Sequence, residues 1–279
     1  MDESVSSKAA LQIGLDIAKN IDARVRGLYV EDVMRLLEWQ PTELIGTAIG
    51  ASSGMQEVSP TEEQIEIEKG FVKESTNLRK LFSEGCNNLK LKSSFTISRG
   101  KVDEQIINFS KTVDLVVIGR RGKTYPETSR EPGPVAESLL RHTTRPVIVV
   151  PQGSKLTNKI LISYDGSTAA QKALREGAIL ATLQNAKVEV VSVADDITSA
   201  KKSLEEAREF LTSYNLSVAY TAESGSRNPW KAIMERARDF NSGLIVIGAF
   251  GENKIMELIF GSTTRHVLME AKCPVLLAK

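Results

Sequence analysis

The feature that most constrains this 279-residue chain is that it reads twice. Sliding the sequence by 163 positions sets Asp2 and Ser4 on Asp165 and Ser167, and Ala10, Leu11, Gly14 and Ala18 on Ala173, Leu174, Gly177 and Ala181. Ala23, Val25, Val30 and Asp32 then fall on Ala186, Val188, Val193 and Asp195. The first apolar matches recur at helical spacing and the last run alternates as a strand does. Farther on, an offset of 129 sets Asp114-Leu-Val-Val-Ile-Gly119 on Gly243-Leu-Ile-Val-Ile-Gly248. An offset of 128 then sets Gly133 on Gly261 and Arg145-Pro146-Val147 on Cys273-Pro274-Val275. A repeat this long is a whole domain and not a solenoid unit. The chain is therefore expected to fold as two copies of one domain, 1–151 and 158–279. The linker between them is only about eight residues and keeps the copies close.

Within each copy, helical patterns alternate with short apolar runs. In the second copy the runs are 160–163, 188–193, 217–221, 244–248 and 275–278, with helices expected near 168–183, 198–213, 228–240 and 262–271. Strands alternating with helices imply right-handed crossovers and a parallel sheet covered on both faces. Runs such as Leu-Ile-Val-Ile are apolar at every position, as strands buried on both sides must be. Each half is predicted to be an α/β sandwich.

The drop in offset from 163 to 129 leaves about 34 extra residues in the first copy, near 33–68. Ser59-Pro60-Thr61-Glu62 reads as a capping box with proline at the first helical position, opening a helix to about Glu84 that Gly85 would end. Before it, Ile45 to Gly54 reads as a Gly/Ser/Ala-rich surface loop, with a binding lid as the alternative.

Composition narrows the function. Lys and Arg total 36 against 35 Asp and Glu, a balance that excludes broad electrostatic capture of nucleic acid or anionic lipid. Two cysteines and two histidines make neither a disulfide framework nor a four-ligand metal site, so no metal residues are assigned. The start, Met1-Asp2-Glu3, is acidic where a signal peptide is basic, and the uncharged stretch Leu44–Gln56 is too short to span a membrane. A soluble, cytoplasmic protein is expected.

Several motifs are decoys. Gly122-Lys123-Thr124 lacks the glycine of a P-loop five residues before it, no Gly-x-Gly-x-x-Gly follows a strand, and no Gly-x-Ser-x-Gly elbow is present. What remains is the turn after the fourth strand of the second copy: Gly248-Ala-Phe-Gly251, nine residues, then Gly261-Ser262-Thr263-Thr264 opening a helix. Glycines let backbone approach a ligand, and a helix N-terminus with hydroxyls suits a phosphate. Ser262 acting only as a helix cap is the structural alternative. Asp165 ends the first strand of that copy, where open α/β sheets place their ligand crevice. A carboxylate there accepts hydrogen bonds from ribose hydroxyls or a base amino group; capping the next helix is the alternative, which Ser167 could serve equally.

Two copies of strand-Asp-Gly-Ser-helix, followed by Val-Ile-Gly-x-x-Gly, nine residues, Gly-Ser and a Cys-Pro-Val-Leu strand, resemble the universal stress protein family in its tandem form. The resemblance covers essentially the whole chain. It implies a five-stranded, mainly parallel sheet in each domain, ATP binding in one branch of the family, and pairing of domains through their last strands. Carried over by position, Asp165 would contact the nucleoside and Val193 would pack on adenine. Gly248, Gly251, Gly261, Ser262 and Thr263 would hold ribose and phosphates, with or without Mg²⁺. Phe250 departs from the commoner polar residue between the first two glycines.

The first copy departs further. Ten residues separate Gly122 from Gly133, and Pro134 follows in place of a hydroxyl residue. Arg120, Arg121 and Lys123 read either as a solvated basic turn or as a phosphate attractor. Ile160-Leu-Ile-Ser-Tyr164 precedes Asp165, but only Met1 precedes Asp2, so the first domain is expected to lack its first strand here, either because the start is truncated or because the sheet is built without it. The leading expectation is a stress-response protein with ATP, or a related adenine nucleotide, as a regulatory or stabilising ligand in the second domain. It carries no catalytic residues, pairs its two domains within the chain, and forms homodimers. The alternatives are a ligand-free assembly module and an adenine-nucleotide enzyme of the same fold group, and slow ATP hydrolysis is compatible with such a site.

Overall fold

The computed structural model describes residues 1–37, 60–125, 129–225, 227–249 and 261–278. The loop expected over Ile45–Gly54, the stretch Leu44–Gln56, Phe250 and Gly251 all lie outside the described residues. The first copy contains α1 (Val5–Ile21), β1 (Val25–Asp32), α2 (Met34–Leu37), α3 (Glu62–Asn88), β2 (Ser93–Gly100), α4 (Val102–Ser110), β3 (Val116–Gly119), α5 (Pro134–His142) and β4 (Val147–Val150). The second contains β5 (Lys159–Ser163), α6 (Thr168–Gln184), β6 (Lys187–Ala194), α7 (Ile197–Leu211), β7 (Val218–Ser224), α8 (Pro229–Asp239), β8 (Leu244–Gly248), α9 (Ser262–Glu270) and β9 (Val275–Ala278).

Seven strands form one sheet in the order β3-β4-β9-β8-β5-β6-β7. Every neighbouring pair is parallel except β4 and β9, which meet antiparallel with Val147 opposite Leu277 and Ile148 opposite Leu276. The expected pairing of final strands is therefore present, and it fuses the two copies into a single sheet. All four residues of each of these strands are buried. An antiparallel partner satisfies two apolar edges at once.

The second copy has the expected five parallel strands. In the first, β1 and β2 pair with each other as a separate two-stranded sheet, and among the described residues no strand joins them to β3.

Local signals explain the repeated elements. Ser4 caps α1 and Ser167 caps α6, each accepting a backbone N–H three residues on. Both helices end on a left-handed polar residue, Asp22 and Asn185, each at φ 50°. The insert helix differs from its expected form. Thr61 caps α3 in a reciprocal pair with Gln64, leaving Pro60 outside the helix. The helix also runs through Gly85 to Asn88, and the left-handed residue is Lys90. Gly85 serves packing: a Cβ there would lie 2.6 Å from Leu15 Cδ1, so its absence lets α3 press on α1.

Two large apolar clusters cover the faces of the sheet. One joins Ile13 and Ile17 of α1 and Ile148 of β4 to Ile162, Ala173 and Leu174, and so spans both copies. The other gathers Leu139 and Leu140 with Leu161, Ile245, Val267 and Leu268. A smaller one, Leu15, Phe82 and Cys86, lies beneath β1 and β2. Both cysteines are free thiols, and burial pushes Cys273 up to about 12.

Candidate functional site

The second copy runs β5, β6, β7 outward in one direction and then returns through β8 and β9 on the other side of β5. The order therefore reverses between β5 and β8. Diverging crossovers open a crevice at the carboxyl ends of such strands. Asp165 follows β5 and Gly248 ends β8, so these two flank the switch point. Val193 lies near the end of the adjoining β6, half-buried at the margin of an apolar cluster.

Asp165 is exposed, and its Oδ1 accepts the Ser167 N–H at 3.0 Å across a turn whose Gly166 takes φ +82°. Ser167 does the capping, through Oγ to the Ala170 N–H at 3.2 Å. The capping role therefore falls to Ser167, and among the described residues Asp165 Oδ2 accepts no hydrogen bond.

α9 begins at the edge of the same crevice. Thr264 Oγ1 donates to the Gly248 carbonyl at 3.0 Å and ties the first turn of α9 to the end of β8. The N-cap position is Gly261 (φ −53°, ψ 144°), which has no side chain to give, and no side-chain cap bond is made. Ser262 is the first helical residue and does not cap α9. The leading N–H groups of α9 thus carry the partial positive charge of an uncapped N-terminus. Ser262 is exposed and Thr263 half-buried.

The two glycines differ in kind. A Cβ on Gly248 would sit 2.7 Å from the backbone of Ala169 in α6, so glycine there is demanded by helix packing. Gly119 faces Ser6 in the same way, again at 2.7 Å. Gly261 has nothing within 4 Å, so its missing Cβ leaves room beside the helix end. Asp165, Val193, Gly248, Gly261, Ser262 and Thr263 therefore all belong to one carboxyl edge, while Gly251 lies outside the described residues.

The corresponding edge of the first copy is closed by its own chain. Asp2 Oδ1 accepts the Ser4 N–H at 3.0 Å, repeating Asp165 and Ser167, but its Oδ2 accepts the Lys123 N–H at 3.0 Å. Ser4 Oγ also donates to the Arg121 carbonyl at 3.3 Å. Lys123 Nζ reaches Glu74 Oε1 at 2.6 Å and Glu3 Oε2 at 3.5 Å, and the buried Tyr29 donates its hydroxyl to Glu74 Oε2 at 3.1 Å. Burial alone would raise the Glu74 carboxyl. The hydrogen bonds from Lys123 and Tyr29, with the positive charges of Lys123 and Arg35, instead hold it below the ordinary carboxylate range. Pro134 opens α5 and removes one N–H from its start.

Arg120 therefore fits neither sequence reading of the basic turn, whereas Lys123 is exposed, as a solvated turn requires. Arg120 is buried in the contact between the two copies, and the Lys123 ammonium pairs with carboxylates of its own copy. Sequence reasoning missed Glu74, because it belongs to α3, and the second copy offers no position from which to align the insert.

Comparison with known proteins agrees with this architecture. The chain matches the model of the Universal stress protein family over residues 1–151 and again over 157–279. It is 24% identical over 267 residues to Universal stress protein Slr1230 of Synechocystis sp., spanning 93% of this chain and 91% of that one. Its fold is similar to the crystal structure of a universal stress protein from Archaeoglobus fulgidus DSM 4304, with TM-score 0.76, 18% identity, and coverage of 100% of this chain and 96% of that one.

Proposed function

The chain belongs to the universal stress protein family, and from that premise we propose that it is a nucleotide-binding stress protein holding one ATP at the carboxyl edge of its second domain. The observation that carries this reading is the uncapped start of α9 at Gly261-Ser262, set beside a crevice that Asp165 and Gly248 flank. Backbone N–H groups at a helix N-terminus suit phosphate oxygens, and the hydroxyls of Ser262 and Thr263 add donors. Asp165 supplies an acceptor for ribose hydroxyls, and Val193 an apolar surface for the base.

ATP acts in this reading as a regulatory or stabilising ligand. Phosphoryl chemistry needs a group that orients or activates water. The described residues of the crevice offer a cradle of amides and hydroxyls and one carboxylate suited to sugar. The first copy serves assembly: its own edge is filled by Asp2, Lys123 and Glu74, and β4 joins it to the second copy.

The test is thermal melting of the purified protein with ATP and Mg²⁺, alongside phosphate release. A ligand held only by the folded state stabilises it by RT ln(1 + [L]/Kd), about 2.7 kcal/mol at a hundredfold excess over Kd. The expected result is a higher Tm with ATP, absent in Gly261→Val. An unchanged Tm at millimolar ATP overturns the reading, and turnover faster than about 1 s⁻¹ would make the protein an enzyme.

A further inference from the structure

The seven-stranded sheet ends on β7, and among the described residues no strand pairs with the outer edge of β7. Two bonds fix which side of β7 meets β6. Val188 donates its N–H to the Ser217 carbonyl at 3.1 Å, and Gly225 donates to the Ala194 carbonyl at 3.2 Å. Backbone groups alternate sides along a strand. Odd-numbered residues therefore face β6, and Val218, Tyr220, Ala222 and Ser224 present their N–H and C=O groups outward.

Proteins that keep such an edge single guard it with Lys, Pro or a bulge. From Ser217 to Gly225 the chain has no Lys, Arg or Pro, and β7 pairs with β6 without a break from Val218 to Ser224. The outer edge of β2 differs. Lys92 and Lys101 flank that strand and Arg99 lies within it, so an antiparallel partner of the same sequence would bring cations together at both ends.

The helix that covers β7 adds a second observation. α7 buries Ala200, Leu204, Ala207 and Leu211. On one flank Ser203 and Glu206 lie over the Gly166 turn, where a Cβ would sit 3.6 Å and 3.5 Å from their oxygens. The opposite flank carries Glu205 and Arg208, both exposed and paired at 3.5 Å. The Arg208 guanidinium lies 4.3 Å from the centroid of the Tyr220 ring. An acid and a base thus stand side by side next to the middle of the open edge.

From this geometry we propose that β7 is the seam of a homodimer, pairing antiparallel with β7 of a second chain about a two-fold axis at Thr221. This is the register that pairs all of Val218–Ser224 and sets outward-facing residues against each other. Tyr220 then opposes the partner's Ala222, a ring against a methyl group, and Val218 opposes the partner's Ser224. Thr221 meets the partner's Thr221 and Glu223 meets the partner's Ala219, so no like charges oppose across the strands. The same axis sets α7 antiparallel to α7 of the second chain, with Glu205 facing the partner's Arg208 and Arg208 facing the partner's Glu205. An antiparallel seam already joins β4 to β9 inside the chain. The inference does not depend on nucleotide binding.

The test is sedimentation equilibrium of the full chain at micromolar concentration. The parent should sediment as a dimer. Ala222→Pro removes one outward N–H and no bond to β6, so it should give a folded monomer. Glu205→Arg sets like charges across the axis and should raise the dimer dissociation constant by about tenfold or more. Adding Arg208→Glu to Glu205→Arg should restore the parent value, a rescue that requires two copies of this chain. The charge series decides the matter where Ala222→Pro fails to fold. A monomeric parent, or a dimer that Glu205→Arg leaves as tight as before, would overturn the proposal.

Discussion

Arg120 Nη1 donates to the carbonyl of Leu268 at 3.0 Å, from the first domain to the last turn of a helix in the second. The same nitrogen reaches the carbonyls of Met269 at 3.0 Å and Ala271 at 3.3 Å. A guanidinium at a helix C-terminus meets both the orphan carbonyls and the negative end of the dipole. Arg120 occupies the place that Ala249 takes in the second copy, directly after the strand-ending glycine. The residue type that would attract phosphate has been turned to holding α9, the helix whose other end is the proposed phosphate cradle.

Arg120→Ala should therefore lower stability by about 2 kcal/mol, the scale of a lost charged hydrogen bond. Arg130 and Glu270, an exposed pair at 3.0 Å across the same contact, should contribute far less on removal. Urea denaturation of both variants checks this. Equal, negligible effects would mean that the buried guanidinium does not join the domains.

The glycines of the motif should separate by role. Gly248→Ala places a Cβ against the Ala169 backbone and should cost about 1–3 kcal/mol, as overpacking does. Gly261→Ala has free space and should stay within about 0.5 kcal/mol of the parent. Denaturant midpoints of the two variants decide it; equal losses would contradict the packing account.

Acid should weaken the first domain through Glu74. Its carboxyl is depressed in the folded protein, so its contribution is present above the ordinary carboxylate value of about 4.3. It is lost as pH falls through the folded value. Glu74→Gln should consequently be less stable than the parent at pH 6, with the gap narrowing at pH 3. An unchanged gap would show that the Glu74–Lys123–Tyr29 contacts carry no linkage.

Much of this was legible because duplication lets one copy calibrate the other. The shared Asp-x-Ser starts of α1 and α6 follow from offsets alone. The pairing of Val147–Val150 with Val275–Ala278 followed from family resemblance and from the need to cover two apolar edges. What escaped lies where the copies differ. α3 has no counterpart to align with, so neither Glu74 at the closed edge nor Gly85 under Leu15 announces itself. Gly248 misleads for a different reason: a glycine that accommodates a neighbouring helix and one that accommodates a ligand look alike in sequence, and only the distance to Ala169 separates them.

The central claim, one nucleotide site in a duplicated chain, is tested most directly by calorimetric titration of ATP into the full protein. The account predicts close to one site per chain, abolished by Gly261→Val and kept when Lys123→Ala opens the contacts of the first copy. Two equivalent tight sites, or tight binding that survives Gly261→Val, would contradict it.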